Sequence, residues 1–297
     1  MTQFLYLSTV LIWGTTWIAI HWQLGEVSIF VSVFYRFALA ACIMLPLVII
    51  TKQLQRTSRS DHGFMVLQGI CLMSMNFVCF YAAGLTLTSG LLSVIFSLAT
   101  IFNALNNFIF WREKPALRVI GAGAIGVVGL GFIFWPELSS SETNLDYFKA
   151  IGLASMGTYL FSLGNMISVR HTKKGLKPLT SNAYAMIYGA CVLAGLLYIS
   201  NTPLEWDSRP QYLGSLLYLG IIGTVAGFAA YLTLVARIGA NKAAYATVMF
   251  PIVALILSTI FEGYLWTLSS ALGLGLVLFG NALILGVKLP FFSRSRD

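Results

Sequence analysis

The 297 residues are 58% hydrophobic and only 9% charged, where a soluble domain carries roughly 25% charged residues. That composition excludes an ordinary water-soluble fold. The net charge of +8 is scattered over several loops, which argues against a nucleic-acid surface and for the cytoplasmic bias of Lys and Arg in membrane proteins.

A membrane span needs about 20 apolar residues, and runs of that length recur along the whole chain. In order they are Phe4–Trp22, Ile29–Ile50, Phe64–Gly84, Thr88–Trp111, Leu117–Trp135, Phe148–Val169, Leu179–Ile199, Gln211–Val235, Ala240–Phe261 and Leu265–Val287. Continuous runs predict helices, since the strands of a β-barrel would alternate. The first run lacks a basic leader and a small-residue cleavage site, so it reads as a retained span. It carries Trp13, Thr15, Thr16 and Trp17.

The second run holds Arg36 about seven residues in. A charge within a span is a functional candidate by default, here for a substrate carboxylate. The structural alternative is snorkelling to the interface, or pairing with Glu26 or Glu262. The third run contributes Asn76 and Tyr81. The fourth carries a polar stripe of Ser89, Ser93, Ser97, Thr100, Asn103, Asn107 and Trp111, whose spacing of three and four places it on one helical face. Such a face must meet protein or water. Asn103 and Asn107 suit a cavity wall; Ser89 and Ser93 suit helix packing.

The fifth run is rich in glycine. The sixth has a shorter stripe of Ser155, Thr158 or Tyr159, Ser162 and Asn165. The eighth contributes Tyr231 and the pair Gly223 and Gly227, suited to close helix packing or a homodimer face. The ninth contributes Tyr245, Thr247 and Pro251, whose missing backbone donor makes it a candidate hinge. Cys42, Cys71, Cys79 and Cys191 all fall inside spans without metal-ligand spacing, and read as small packing residues. No metal, cofactor or nucleic-acid partner is implied; the expected partners are the lipid bilayer and a small-molecule substrate.

Charge sets the orientation. Lys52, Arg56 and Arg59, then Arg112, Lys114 and Arg118, then Arg170, Lys173, Lys174 and Lys177, then Arg237 and Lys242, and finally Lys288, Arg294 and Arg296 occupy every second gap between runs. Glu26, Glu137, Glu142, Asp146, Glu205, Asp207 and Glu262 lean to the opposite gaps. Both termini are therefore predicted to be cytoplasmic. Trp22, Trp111, Trp135, Trp206 and Trp266 sit near predicted interfaces, and a bacterial inner membrane is the simplest host.

A shift of 151 positions pairs Gly69 with Gly220, Thr100 with Pro251 and Gly129 with Gly280. Five spans per repeat is an odd number, so the second copy must enter the membrane inverted, as in secondary transporters. The expected divisions are 1–137, an outer connection at 138–147, 148–288, and a cytoplasmic tail at 289–297. The expected fold is all-α and integral to the membrane, with ten transmembrane helices as two inverted five-helix repeats.

Ile12-Trp13-Gly14-Thr15, Tyr35-Arg36-Phe37, Trp111-Arg112-Glu113-Lys114, Phe250-Pro251-Ile252-Val253-Ala254 and Glu262-Gly263, in that order, resemble the EamA family of the drug/metabolite transporter superfamily. The resemblance covers Phe4 to Gly286 and makes both divisions EamA-type repeats. One departure is Thr100, where the family commonly has proline. What the resemblance implies is an inner-membrane transporter of small metabolites, often an exporter, with a central cavity lined by both repeats. The residues that could line it are Trp13, Thr15, Arg36, Asn76, Tyr81, Ser97, Asn103, Asn107, Tyr159, Asn165, Tyr231 and Tyr245. No acid lies mid-span, which argues against proton-driven antiport of organic cations through a carboxylate.

An enzyme is the rival class. His21, His62 and His171 share no motif, and no nucleophile elbow or phosphate loop is present. A membrane sensor or structural protein is the other alternative, and it would show no solute flux.

Overall fold

The computed structural model describes residues 2–138, 145–238 and 245–285. The described residues fold into long helices and short connections. We label them α1 (Thr2–His21), α2 (Ile29–Ile50), α3 (Arg59–Ala83), α4 (Ser89–Trp111), α5 (Leu117–Leu138), α6 (Leu145–Lys173), α7 (Pro178–Ile199), α8 (from Pro210 to Ile238), α9 (Tyr245–Phe261) and α10 (Leu268–Leu285). Helices α1 to α8 are long and apolar enough to cross a membrane, and α9 and α10 carry shorter apolar stretches, Val248–Phe261 and Leu268–Ile284. The protein is a multi-pass membrane protein. Its outward side chains, such as Ile50, Leu117 and Leu268, are exposed and apolar, as contact with lipid tails requires. Trp17, Phe37, Met44, Phe80, Tyr81 and Leu92 form the central core.

Corresponding helices share irregularities that the apolar pattern does not dictate. Helix α3 widens into a π-helical turn at Cys71–Met75, and α8 does so at Tyr218–Ala226. In each, a hydroxyl reaches the carbonyl five residues back: Ser74 to Gly69 at 3.0 Å, and Thr224 to Leu219 at 2.7 Å. Helices α2 and α7 end in the same cap, with Lys52 at φ 53 and Asn201 at φ 49. The following amides, Gln53 and Thr202, bond back to Val48 at 2.9 Å and Leu197 at 3.0 Å, the six-to-one bond of a Schellman motif. Helix α4 ends at left-handed Arg112 and α9 at left-handed Gly263. Glu113 N–H then bonds Asn107 O, and Tyr264 N–H bonds Ser258 O.

Packing follows the same pairing. Helix α1 lies on α8 and α9, and α6 lies on α3 and α4. Helix α2 packs on α7 and α8, and α7 on α2 and α3. Helices α5 and α10 pack on each other through glycine: a Cβ on Gly273 would stand 2.5 Å from Gly129 O, and one on Gly280 2.6 Å from Ala122 O. These two contacts run in opposite chain directions, so α5 and α10 are antiparallel.

One helix departs from the continuous span expected. Helix α4 is interrupted at Ser97 and Leu98, between Ser89–Phe96 and Ala99–Trp111. There the amides of Ser97 and Leu98 turn to carbonyls three residues back, each at 3.0 Å, and the Ser97 hydroxyl holds Val94 O at 2.6 Å. A side chain competing for helix carbonyls is enough to bend a helix without proline.

Charge separates the two ends of the bundle. At one end Lys177 bonds the Gln53 side chain at 2.9 Å, Arg170 pairs with Asp61 at 3.2 Å, and Lys173 covers the Trp111 ring at 3.8 Å. At the other, Ser28 N–H donates to Glu205 at 3.0 Å, the Tyr35 hydroxyl to Glu205 O at 3.0 Å, and Glu262 stands beside His21.

Candidate functional site

The polar residues expected to form one wall divide among three places. The first is a seam between α4 and α6. Asn103 Oδ1 accepts from the Ser162 hydroxyl at 2.8 Å and from Asn165 Nδ2 at 3.4 Å. Asn106, which is fully buried, donates to Ser162 Oγ at 2.9 Å and leaves its own Oδ1 without a partner. Sequence spacing passed over Asn106, because it lies beside the counted stripe rather than on it. Tyr159 packs edge-on against Phe102 with centroids 5.4 Å apart. Asn107 is half-buried one turn further on. An amide seam exchanges hydrogen bonds with water at little cost once opened, unlike an apolar one.

The second place is aromatic. Trp13 is half-buried and donates its indole N–H to Gly223 O at 3.1 Å. Its ring meets Tyr231 at 5.0 Å and Phe228 and Phe250 at 5.5 Å each. A Cβ on Gly227 would lie 2.5 Å from the indole nitrogen, and one on Gly223 2.8 Å from Thr16. The Gly223–Gly227 pair thus receives α1 of the same chain. Thr15 ties α1 to α8 through the Tyr218 hydroxyl at 2.6 Å. Tyr6, Val10 and Phe250 continue this cluster toward a shallow surface hollow of about 380 Å³ bordered by Thr2, Gln3, Tyr6 and Leu7 on the first turns of α1. That hollow lies at the end of the bundle where the cations gather.

The third place is around Arg36, which is only 4% exposed. Snorkelling and pairing with Glu26 or Glu262 do not occur: among the described residues Arg36 has no carboxylate within 4.0 Å. Its guanidinium stacks on Phe77, 4.3 Å from the ring centroid, with Phe37 at 5.4 Å. Tyr81, fully buried, lies beside it and donates its hydroxyl to the Gln23 side chain. Asn76 is also buried, with an unpaired Oδ1.

The other expectations fall outside these clusters. Ser97 spends its hydroxyl on the α4 break. Thr100 donates to Asn281 of α10. Pro251 sits inside α9, which runs through it as helix. The side chains of Tyr245 and Thr247 lie outside the described residues, as do 139–144 and the tail from 286 onward.

Sequence reasoning missed the closure at the acidic end. Glu262, 3% exposed, accepts two bonds from the Ser89 N–H at 3.0 and 3.1 Å and a short one from its hydroxyl. His21 Nδ1 stands 3.1 Å away. One carboxylate therefore joins α9 to α4 and α1. The match of Ser89 to the start of a helix was legible; its partner 173 positions later was not.

The EamA-like transporter family matches residues 1–135 and again 149–286. The chain belongs to this family. Among similar proteins, an uncharacterized transporter of Archaeoglobus fulgidus is 27% identical over 92% of this chain and 94% of its own. Protein PagO of Salmonella typhimurium is 25% identical over 99% and 96%. The uncharacterized transporter YoaV of Bacillus subtilis is 24% identical over 98% and 96%. One solved crystal structure covers 95% of both chains with a TM-score of 0.65 at 15% identity, a likeness of fold alone. The family and these relatives make the chain a membrane transporter.

Proposed function

We propose that the chain is a secondary carrier that exports small metabolites such as amino acids by alternating access. Its divisions at 1–137 and 148–288 act as inverted five-helix repeats, joined outside by 138–147. In this reading ten spans bring both termini, and the tail at 289–297, to one side, the cytoplasm of a bacterial inner membrane. Paired π-turns in α3 and α8, matched caps on α2 and α7, and the antiparallel α5–α10 crossing support the repeat. The cation-rich end supports the orientation.

The observation that carries this reading is the difference between the two ends. At the acidic end, Glu262 locks α9 onto α4, and Gly90 brings α4 within 2.7 Å of Leu255 at the Cβ position. Toward the cationic end, the α4–α6 seam holds the half-buried amides of Asn103, Asn107 and Asn165 around the buried Asn106 and Ser162, and a surface hollow lies beside Tyr6. This difference supports a carrier whose outer end is the closed one. Alternating access then exchanges the two conditions.

A cysteine in place of Asn103 tests it. In right-side-out and inside-out vesicles, a membrane-impermeant maleimide is expected to reach that cysteine from the cytoplasmic face. Locking the outer end open is expected to transfer reactivity to the other face. Equal reactivity from both faces at once would indicate a channel and remove the carrier reading.

A further inference from the structure

Arg36 poses a specific electrostatic problem. A guanidinium cannot shed its proton, and within a bilayer an unpaired charge is expensive. The chain does not neutralise it. Glu262 is engaged by Ser89 and His21, and Glu205 by Ser28. Phe77 and Phe37 offer only ring faces, which attract a cation but carry no opposite charge. Arg36 Nε and Nη1 are buried without hydrogen-bond partners.

A second donor stands open in the same place. Gln23 follows α1 in a connecting segment, where side chains are ordinarily solvated, yet it is fully buried. Its Oε1 takes the Tyr81 hydroxyl proton, and its Nε2 has no partner. The amide stands with its oxygen toward the phenol and its NH2 away from it. Tyr81 also lies beside Arg36. Three donor nitrogens on two buried side chains are thus unsatisfied around one tyrosine, and buried donors are otherwise nearly always paired.

The missing partner is an acceptor that carries charge. One guanidinium matches a single negative charge, so a carboxylate fits better than a phosphate dianion, which calls for a cluster of cations. The aromatic surround of Phe37, Phe77 and Tyr81 suits a planar group with apolar substance behind it. We propose that Arg36 and Gln23 bind the carboxylate of the transported metabolite, with Tyr81 as the positioning residue that orients Gln23. This deepens the carrier reading and rests on it.

The test uses the full chain in nanodiscs. Its thermal midpoint is followed at constant ionic strength with sodium acetate, sodium benzoate, benzamide, benzylamine hydrochloride or sodium chloride. Saturable stabilisation of several degrees by a carboxylate, with none from benzamide, benzylamine or chloride, is expected. Half-saturation should rise at least tenfold in Arg36→Gln and in Gln23→Leu. Tyr81→Phe, which keeps the ring, should weaken binding less than either. Gln23→Leu keeps the volume and serves if Arg36→Gln fails to fold.

No carboxylate effect on the wild type, equal stabilisation by benzamide, or stabilisation by chloride alone would each overturn the assignment. Counterflow separates the two levels. Flux that persists in folded Arg36→Gln removes this site and leaves the carrier. Carboxylate binding lost in Arg36→Gln, with no flux in the wild type, upholds the site and removes the carrier.

Discussion

Replacing Glu262 by Ala should unfasten the acidic end. The carboxylate caps the first turn of α4 by accepting from the Ser89 N–H and hydroxyl, and it faces His21. Its removal leaves a buried N–H unsatisfied, at about 1–3 kcal/mol. The helix keeps its own cap, the Thr88 side chain accepting from Leu91 N–H, so this is the whole cost against the closed end, on the order of five- to a hundredfold in its population, since each 1.4 kcal/mol is tenfold. The readout is a cysteine at Ser258, which is fully buried one turn inside Glu262 and 2.9 Å from the Cβ position of Gly90. In a background lacking Cys42, Cys71, Cys79 and Cys191, maleimide labelling of Ser258→Cys should accelerate about fivefold or more with Glu262→Ala. Glu262→Gln, which keeps an acceptor, should fall between. A lowered thermal midpoint with unchanged labelling would refute the reasoning: Glu262 would then support the fold without closing the end.

Three further outcomes are expected. Gly273→Ala places a methyl group 2.5 Å from Gly129 O and 2.6 Å from an Ile133 side-chain carbon, a destabilisation of about 1–3 kcal/mol or more. Gly131→Ala meets nothing within 4 Å and should be neutral or stabilising by about 0.5–1 kcal/mol; scanning fluorimetry in detergent compares the two. Ser162→Ala strands Asn106 Nδ2 and leaves Asn103 Oδ1 only its longer bond from Asn165, at about 1–3 kcal/mol, and Asn106→Leu added to it should recover part of that loss in a double-mutant cycle. The Asp207 carboxyl, between α7 and α8, is held below the usual carboxylate range by the Arg209 side chain and backbone N–H. A lowered folded value means its contribution is present at neutral pH and disappears as pH falls through that value. Melting curves of wild type and Asp207→Asn should therefore differ at pH 7 and converge in acid.

The helices were largely legible because lipid imposes one rule, a long apolar run with every backbone bond internal. Ile29–Ile50 is the observed α2, and Leu179–Ile199 differs from α7 by one residue. What escaped was anything decided across the bundle. The α4 stripe assumed an unbroken helix, but the break at Ser97 and Leu98 turns Ser89 toward Glu262, Thr100 toward Asn281, and Asn103 toward Ser162. No proline or glycine marks that break; hydroxyl competition makes it. Arg36 stood out in sequence by its depth in the second run, while its neighbours Phe77 and Tyr81 come from another helix. Gln23 carried no signal at all, being one polar residue in a connection. The likeness of α3 to α8 and of α2 to α7 was faint in sequence because apolar residues interchange freely, whereas the π-turns and left-handed caps they share depend on backbone geometry that survives such exchange.

Counterflow in liposomes is the most direct measurement. The purified full-length chain, loaded inside with millimolar unlabelled amino acids, is offered trace labelled amino acids outside. Trp13→Ala is run in parallel because Trp13 joins α1 to Tyr231 and Phe250 across the candidate path. Transient, saturable accumulation of label in the wild type, reduced at least tenfold in folded Trp13→Ala, is the expected result. Absence of exchange for every amino acid and metabolite offered, with folded protein in the membrane, would contradict the carrier and favour a sensory or structural role.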